Sequence, residues 1–506
     1  MTSQQTAAPD EPQVAAATAA STVRDAPAAP SGGRVVIVGG GPGGYEAALV
    51  ARRLGAHVTV VERAGLGGSA VLTDVVPSKT LIATAEWMTI ADRAPELGIR
   101  LDDLGAGGAG GPVNVAEALR HRIDLQAVNA RVKALAAAQS ADIRGRLARE
   151  GVEIVHGTGR LLDPERVAVT EQDGTEHVLA ADVVLVATGA TPRVLPDARP
   201  DGERILTWTQ MYNLTEVPER LVVVGSGVTG AEFAGAYTLL GSDVVLVSSR
   251  DRVLPGEDAD AAELIERVFT QRGMTVASRS RASAARRTAD GVVVTLEDGS
   301  TVEGSHVLFA VGSIPTTRDM GLEEAGVHLT PSGHVQVDKV SRTNVRGVYA
   351  AGDCTGVLPL ASVAATQGRI AMSHALGDAV APLALRGISA NIFTVPEIAT
   401  VGLSESRLQA MGTHYRTSTL PLARNPRAKM LGVRDGFVKI FAHAGTGTVL
   451  GAVVVGPRAS ESIFPLTLAV QHRLTADEVA EASTVYPSMS GTIGEVARML
   501  HQRIED

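Results

Sequence analysis

The apolar positions of this chain fall into one pattern written twice. Residues 34–63, RVVIVGGGPGGYEAALVARRLGAHVTVVER, run from a short apolar stretch through clustered glycines into a helix-like segment, a Leu-Gly break and a second apolar stretch. Residues 220–250, RLVVVGSGVTGAEFAGAYTLLGSDVVLVSSR, repeat that order. Short Val-rich runs bounded by glycine predict strands buried on both faces, and the longer segment between them predicts a crossover helix. Each copy is therefore a strand–helix–strand unit of a parallel sheet. The glycines superimpose, Gly39, Gly41 and Gly44 against Gly225, Gly227 and Gly230, and the same interval leads from Gly39 to Glu62 as from Gly225 to Ser248.

That glycine spacing has a chemical use. The first glycine permits a tight turn, the second lets the backbone approach a pyrophosphate, and the third lets helix and strand pack closely. The helix start then offers free N–H groups and a positive dipole end to the phosphates. Two copies imply two dinucleotides. Glu62 ends the second strand of the first copy, where a carboxylate accepts hydrogen bonds from a ribose. The second copy has Ser248 there, followed by Ser249, Arg250 and Arg252. Serine with nearby guanidinium groups accommodates a 2′-phosphate that a carboxylate would repel. The arginines equally suit a solvated loop. NADPH use, alongside NADH, is the expectation.

Three further apolar runs end in glycine: DVVLVATGATP (182–192), SHVLFAVGSIPTT (305–317) and GVYAAGDCTG (347–356). Asp353 in the last sits at a strand's C-terminal end, well placed for a polyol chain or as the N-cap of the helical run predicted from Pro359 to Gly377.

Composition narrows the function classes. A net charge of −9 over 506 residues argues against a nucleic-acid or anionic-membrane binder, since phosphate neutralisation needs a basic face. Cys354 is the only cysteine, which excludes an intrachain disulfide, a Cys-x-x-Cys pair and a thiolate zinc site; no metal site is expected. Residues 1–32, rich in Ala, Thr, Pro and Ser, lack the basic start and apolar core of a secretory signal and read as a disordered tail. No stretch reaches the roughly 18 apolar residues of a transmembrane helix. A soluble cytoplasmic protein is expected.

In order along the chain, both fingerprints, GGSAVLTDVVPSKTLI, ATGATP, VGSIPTT, YAAGDCTG, FTVPEIATVG and RAKMLGVRDGFVKIFAHAGTGTVLGAVVVGP resemble the pyridine nucleotide-disulfide oxidoreductase family. The resemblance implies an α/β fold of two Rossmann-like domains, for FAD and NAD(P), plus a C-terminal α+β dimerisation domain. Its boundaries would be 33–190 with 315–387, 191–314, and 388–506. It implies FAD at Gly39, Gly41, Gly44, Glu62, Gly189, Asp353 and Ala361. NAD(P)H would lie at Gly225, Gly227, Gly230, Ser248, Arg250 and Gly312. Lys79 would stand beside the flavin paired with Glu232, and a homodimer would lend residues to its partner's site.

The departures are equally informative. The family's two redox cysteines fall on Ala70 and Val75, neither of which forms a thiolate. Its closing His-x-His-Pro and later Glu fall on Thr484, Tyr486 and Gly491. With the disulfide relay gone, electrons from NAD(P)H must leave the flavin directly, and a quinone suits the apolar surface left by Ala70 and Val75. Tyr486 of the other subunit then either donates a hydrogen bond to a quinone oxygen or fills volume. The expected function is an FAD-dependent NAD(P)H-quinone dehydrogenase and not a working disulfide reductase. A soluble NAD(P)+ transhydrogenase and a non-catalytic flavoprotein subunit are the alternatives.

Overall fold

The computed structural model describes residues 32–93, 96 and 123–501. The tail expected over 1–32 lies outside them except for its last residue.

The first fingerprint builds a seven-stranded sheet. Its order is Val348–Ala350, Val183–Val186, Arg34–Val38, His57–Glu62, Glu153–Asp163, Arg166–Glu171, Glu176–Ala180. The first five strands are parallel and the last two pair antiparallel. The strand VVIV is continuously apolar because both faces are covered. Val35 and Ile37 pack with Ala47, Leu49 and Leu147 on one side, while Val36 and Val38 pack with Val167 and Val348 on the other. The fingerprint helix Pro42–Arg53 lies against the helix Ala361–Ala375 at backbone distance: a Cβ on Gly368 would collide with the Gly43 carbonyl, and one on Gly43 would come within 3.2 Å of the Ala364 carbonyl.

The second fingerprint builds an all-parallel sheet, Thr275–Ala277, Asp243–Val247, Arg220–Val224, His306–Phe309, Ile205–Thr207. Where the chain enters and leaves this unit, Ala190–Pro192 and Ser313–Pro315 pair as a two-stranded antiparallel ribbon. The C-terminal unit is a five-stranded antiparallel sheet, Ser389–Ile392, Glu397–Gly402, Val449–Gly456, Phe437–His443, Tyr415–Pro421. Its helices Phe464–His472 and Gly491–Met499 cover one face, with Leu466, Ala469 and Val496 in the core beneath them. Buried Lys439 joins this sheet to the nucleotide unit, with Nζ 3.0 Å from Asp258, 2.9 Å from Asp260 and 2.7 Å from Glu405.

Two boundaries differ from the sequence reading. Ser248 lies one residue past its strand, which ends at Val247. Asp353 opens a separate 3-10 turn, Asp353–Thr355, and the following helix begins at Ala361 behind Leu360, with no side-chain cap. Asp353 therefore does not cap that helix.

Candidate active site

Both fingerprints have the same geometry. Gly39 and Gly225 have φ of 109° and 110°, a left-handed region that favours glycine. A Cβ on either would collide with a carbonyl of the neighbouring strand's end, Ala187 or Ala310. A Cβ on Gly44 or Gly230 would collide with the carbonyl of the first glycine. The middle glycines are different. A Cβ on Gly41 meets nothing closer than the Gly68 Cα at 4.0 Å, and one on Gly227 meets nothing within 4 Å. The protein packs against the first and third glycines and leaves the second open.

That opening sits at the start of a helix. Gly41 and Gly227 are the N-caps of Pro42–Arg53 and Val228–Leu239, and neither has a side chain to cap the leading N–H groups. Gly189 and Gly312, after the crossing strands, have positive φ and open space where a Cβ would stand. Unsatisfied helix N–H groups above a cradle that only glycine leaves open fit a pyrophosphate in each unit. The first unit adds two carboxylates. Buried Glu62 accepts from Ala64 N at 2.7 Å and Gly65 N at 3.2 Å on Oε1 and from Gly40 N at 2.6 Å on Oε2, which holds it at the fingerprint turn and leaves Oε2 a lone pair to spare. Burial holds the Asp353 carboxyl above the usual range, with His334 opposing it. This donor set fits FAD.

Lys79 and Glu232 come from different units and meet. Lys79 lies on the helix Val75–Asp92 and Glu232 on the second fingerprint helix. Lys79 Nζ stands 2.7 Å from Glu232 Oε2, with the lysine side chain 24% exposed and the glutamate 2%. Glu232 Oε1 accepts from Phe393 N at 2.8 Å, and the ammonium lies 5.2 Å from the centre of the Phe393 ring. Three units of the chain converge on one charge pair. Sequence reasoning does not single out Phe393, although it opens the FTVPEIATVG segment.

It misses Asp74 as well. This residue precedes Val75 at the start of the lysine's helix and is partly buried. Burial pushes its carboxyl up to about 6; Lys79 opposes the rise, and the nearby charges of Glu232 and Asp353 add to it. A lone acid between Thr73 and Val75 carries no periodicity or motif, so only the fold reveals its company. Ala70, on the short helix Gly68–Leu72, and Val75 bring no sulfur. Cys354 is fully buried in the sheet core, with Sγ 3.3 Å from the Ala351 carbonyl and its thiol pushed up to about 11 by burial.

Ser248 turns inward. It is fully buried, with Oγ 2.7 Å from Ser226 Oγ, donating to the Arg250 carbonyl at 3.2 Å and accepting from Arg250 N at 3.1 Å. Its hydroxyl secures the loop, while the Arg250 side chain is exposed. Tyr486 is 81% exposed on the single chain. A Cβ on Gly491 would lie 3.6 Å from Thr484 Oγ1, so hydroxyls occupy the corner where the resemblance implied a carboxylate and imidazole. Among the described residues no group of His, Cys, Asp and Glu is arranged to hold a metal ion.

Comparison with known proteins matches residues 33–368 to the pyridine nucleotide-disulphide oxidoreductase family and residues 388–497 to that family's dimerisation domain. The chain is 52% identical over 476 residues to an NAD(P)H dehydrogenase (quinone) of Mycobacterium tuberculosis, covering 92% of this chain and 94% of the relative. It is 33% identical over 467 residues to the dihydrolipoyl dehydrogenase of Chlorobaculum parvum, covering 92% and 96%. Among solved structures, LpdA of Mycobacterium tuberculosis matches with a TM-score of 0.86 at 52% identity, over 93% of this chain and all of that one. The HOCl-induced flavoprotein disulfide reductase RclA of Escherichia coli shares the fold, with a TM-score of 0.80 at 22% identity over 92% of this chain and all of that one.

Proposed function

The chain belongs to the pyridine nucleotide-disulphide oxidoreductase family, and we propose that within it the protein is an FAD-dependent NAD(P)H dehydrogenase delivering two electrons directly to a quinone. One observation carries the reading: the site keeps its charged pair and has no sulfur. Lys79 and Glu232 are joined at 2.7 Å and Cys354 is sealed in a core, whereas Ala70 and Val75 occupy the positions that the family resemblance gives to the redox cysteines. A disulfide reductase needs an accessible thiolate, and none can form here. The relative named NAD(P)H dehydrogenase (quinone) supports the same acceptor class.

FAD, when bound, supplies the two-electron relay between nicotinamide and acceptor. Gly39, Gly41, Gly44 and Gly189 would admit its pyrophosphate half, Glu62 would take ribose hydroxyls, and Asp353 the polyol, beside the helix opened by Ala361. Gly225, Gly227, Gly230 and Gly312 would admit NAD(P)H. With the Ser248 hydroxyl engaged inside its loop, exposed Arg250 is the group suited to a 2′-phosphate, which favours NADPH alongside NADH. Lys79 would hold positive charge where electrons arrive, and Glu232 with Phe393 would fix its position. Ala70 and Val75 offer an apolar floor that suits an aromatic acceptor better than a charged one. In the homodimer, exposed Tyr486 of one subunit would donate a hydrogen bond to a quinone oxygen in the other. No described helix is long and apolar enough to cross a membrane; we place the protein in the cytoplasm.

Anaerobic mixing with NADPH tests the reading. The oxidised-flavin band should bleach, and menadione should restore it, with lipoamide giving no turnover. A band that stays oxidised overturns the enzyme reading. NADPH-driven reduction of an NAD analogue, with no quinone turnover, would make the protein a transhydrogenase instead.

A further inference from the structure

The start of helix Val75–Asp92 holds an acid with no evident structural use. Asp74 occupies the N-cap position, where a carboxylate ordinarily accepts a hydrogen bond from an N–H of the first turn, yet its side chain caps nothing. Its backbone is engaged at both ends, the N–H donating to the Ser69 carbonyl at 2.8 Å and the carbonyl accepting from Ser78 N at 2.8 Å, while no hydrogen bond to its carboxylate is found among the described residues. An acid that neither caps its helix nor pairs among the described residues is free for chemistry.

Its surroundings are those of the acceptor site. Along the chain it is followed directly by Val75, one of the two positions without sulfur. On its own helix it feels Lys79, from the second fingerprint helix Glu232, from the turn after Val348–Ala350 Asp353, and from the 3-10 helix Trp208–Asn213 Tyr212. Glu232, Lys79 and Asp353 have other tasks, Asp353 being the residue assigned to the polyol. Glu232 has both oxygens occupied, by Lys79 and Phe393 N. Lys79 is held by Glu232, and burial pushes the Tyr212 phenol far above its ordinary value.

We propose that Asp74 is the acid that protonates the quinone during its reduction, an assignment that rests on the functional reading above. A quinone that takes two electrons and one hydrogen nucleus at one oxygen is left as a hydroquinone monoanion. Transfer of the proton from the Asp74 carboxyl to the second oxygen completes the hydroquinone, and the carboxylate recovers its proton from solvent. The overall change is NAD(P)H + H+ + quinone → NAD(P)+ + hydroquinone, with the proton on the left entering through Asp74. The raised carboxyl suits that role, because at about 6 it keeps roughly a tenth of its protons at pH 7, against under one part in a thousand for an ordinary aspartate.

The test compares FAD-loaded wild-type protein with Asp74→Asn and Asp74→Glu, using menadione and ferricyanide, which accepts electrons without protons. Removing a general acid costs about a hundredfold. Asp74→Asn should therefore lose about a hundredfold more turnover with menadione than with ferricyanide, and Asp74→Glu should recover part of it. A readout without turnover is the pH dependence of melting. A carboxyl raised in the folded state contributes stability below its unfolded value of 3.8, which is lost as pH rises through about 6. Across that window Asp74→Asn should gain melting temperature relative to wild type. Equal losses with the two acceptors and an unchanged melting profile overturn the role of Asp74 alone. A wild type that reduces ferricyanide but no quinone overturns the functional reading, and the assignment with it.

Discussion

Glu232 shows how one residue serves charge and structure together. Its two oxygens hold Lys79 Nζ and Phe393 N, and the side chain is 2% exposed. Glu232→Ala should strand an ammonium and a backbone N–H, costing about 3 kcal/mol on denaturant unfolding. Glu232→Gln keeps an acceptor for Phe393 and should cost less than half as much. Both should slow bleaching of the flavin band by NADPH, since the lysine loses its fixed position. The Lys79–Glu232 pairing is legible through family resemblance, because both residue types stand in recognisable segments. Phe393 and Asp74 are not. Their roles depend on which units the fold brings together, and their neighbours in sequence say nothing about that. Sequence places Ser248 next to the strand end but does not give its direction: loop closure through Ser226 turns its hydroxyl inward.

At the scale of the element, each fingerprint separates folding from binding glycine by glycine. Gly225 combines φ of 110° with a collision against Ala310, so Gly225→Ala should lower the melting temperature or prevent folding. Gly227 has φ of −74° and open space in place of a Cβ. Gly227→Ala should melt close to wild type while raising the KM for NADPH about tenfold, some 1.4 kcal/mol of binding. Thermal melts beside initial-rate kinetics check both. The strand–helix–strand assignments are legible because continuous apolar runs and glycine spacing are local signals. The helix start after Asp353 is less so, since the chain inserts a 3-10 turn that no periodicity announces.

Across the whole molecule, the units are tied by charge as well as by apolar packing. Lys439 in the C-terminal sheet is buried among Asp258 and Asp260 of the nucleotide unit and Glu405, and desolvation is outweighed by these carboxylates, which push its ammonium up. Lys439→Ala would leave Asp258, itself buried, without its cation. We expect a loss of about 3–5 kcal/mol on urea unfolding. If the nucleotide unit detaches from the C-terminal sheet before the rest melts, the transition should also split in two. The dimerisation domain at residues 388–497 carries the exposed Tyr486, so assembly and acceptor chemistry would meet at that surface.

By itself the sequence determined the α/β class, the two nucleotide units, the absence of a redox disulfide and the charged pair to look for. The first three follow from strand and helix periodicity, from turns whose backbone shape only glycine tolerates, and from a cysteine count that no folding can change; the charged pair follows from the family resemblance. Only the tertiary structure decided which carboxylates are occupied and which are free. It sealed Cys354 in a core, turned Ser248 inward, set Glu232 between Lys79 and Phe393, and left the Asp74 carboxyl beside them with no hydrogen-bond partner among the described residues. Burial and the charges of distant segments set those outcomes, and both come into being only when the three units pack.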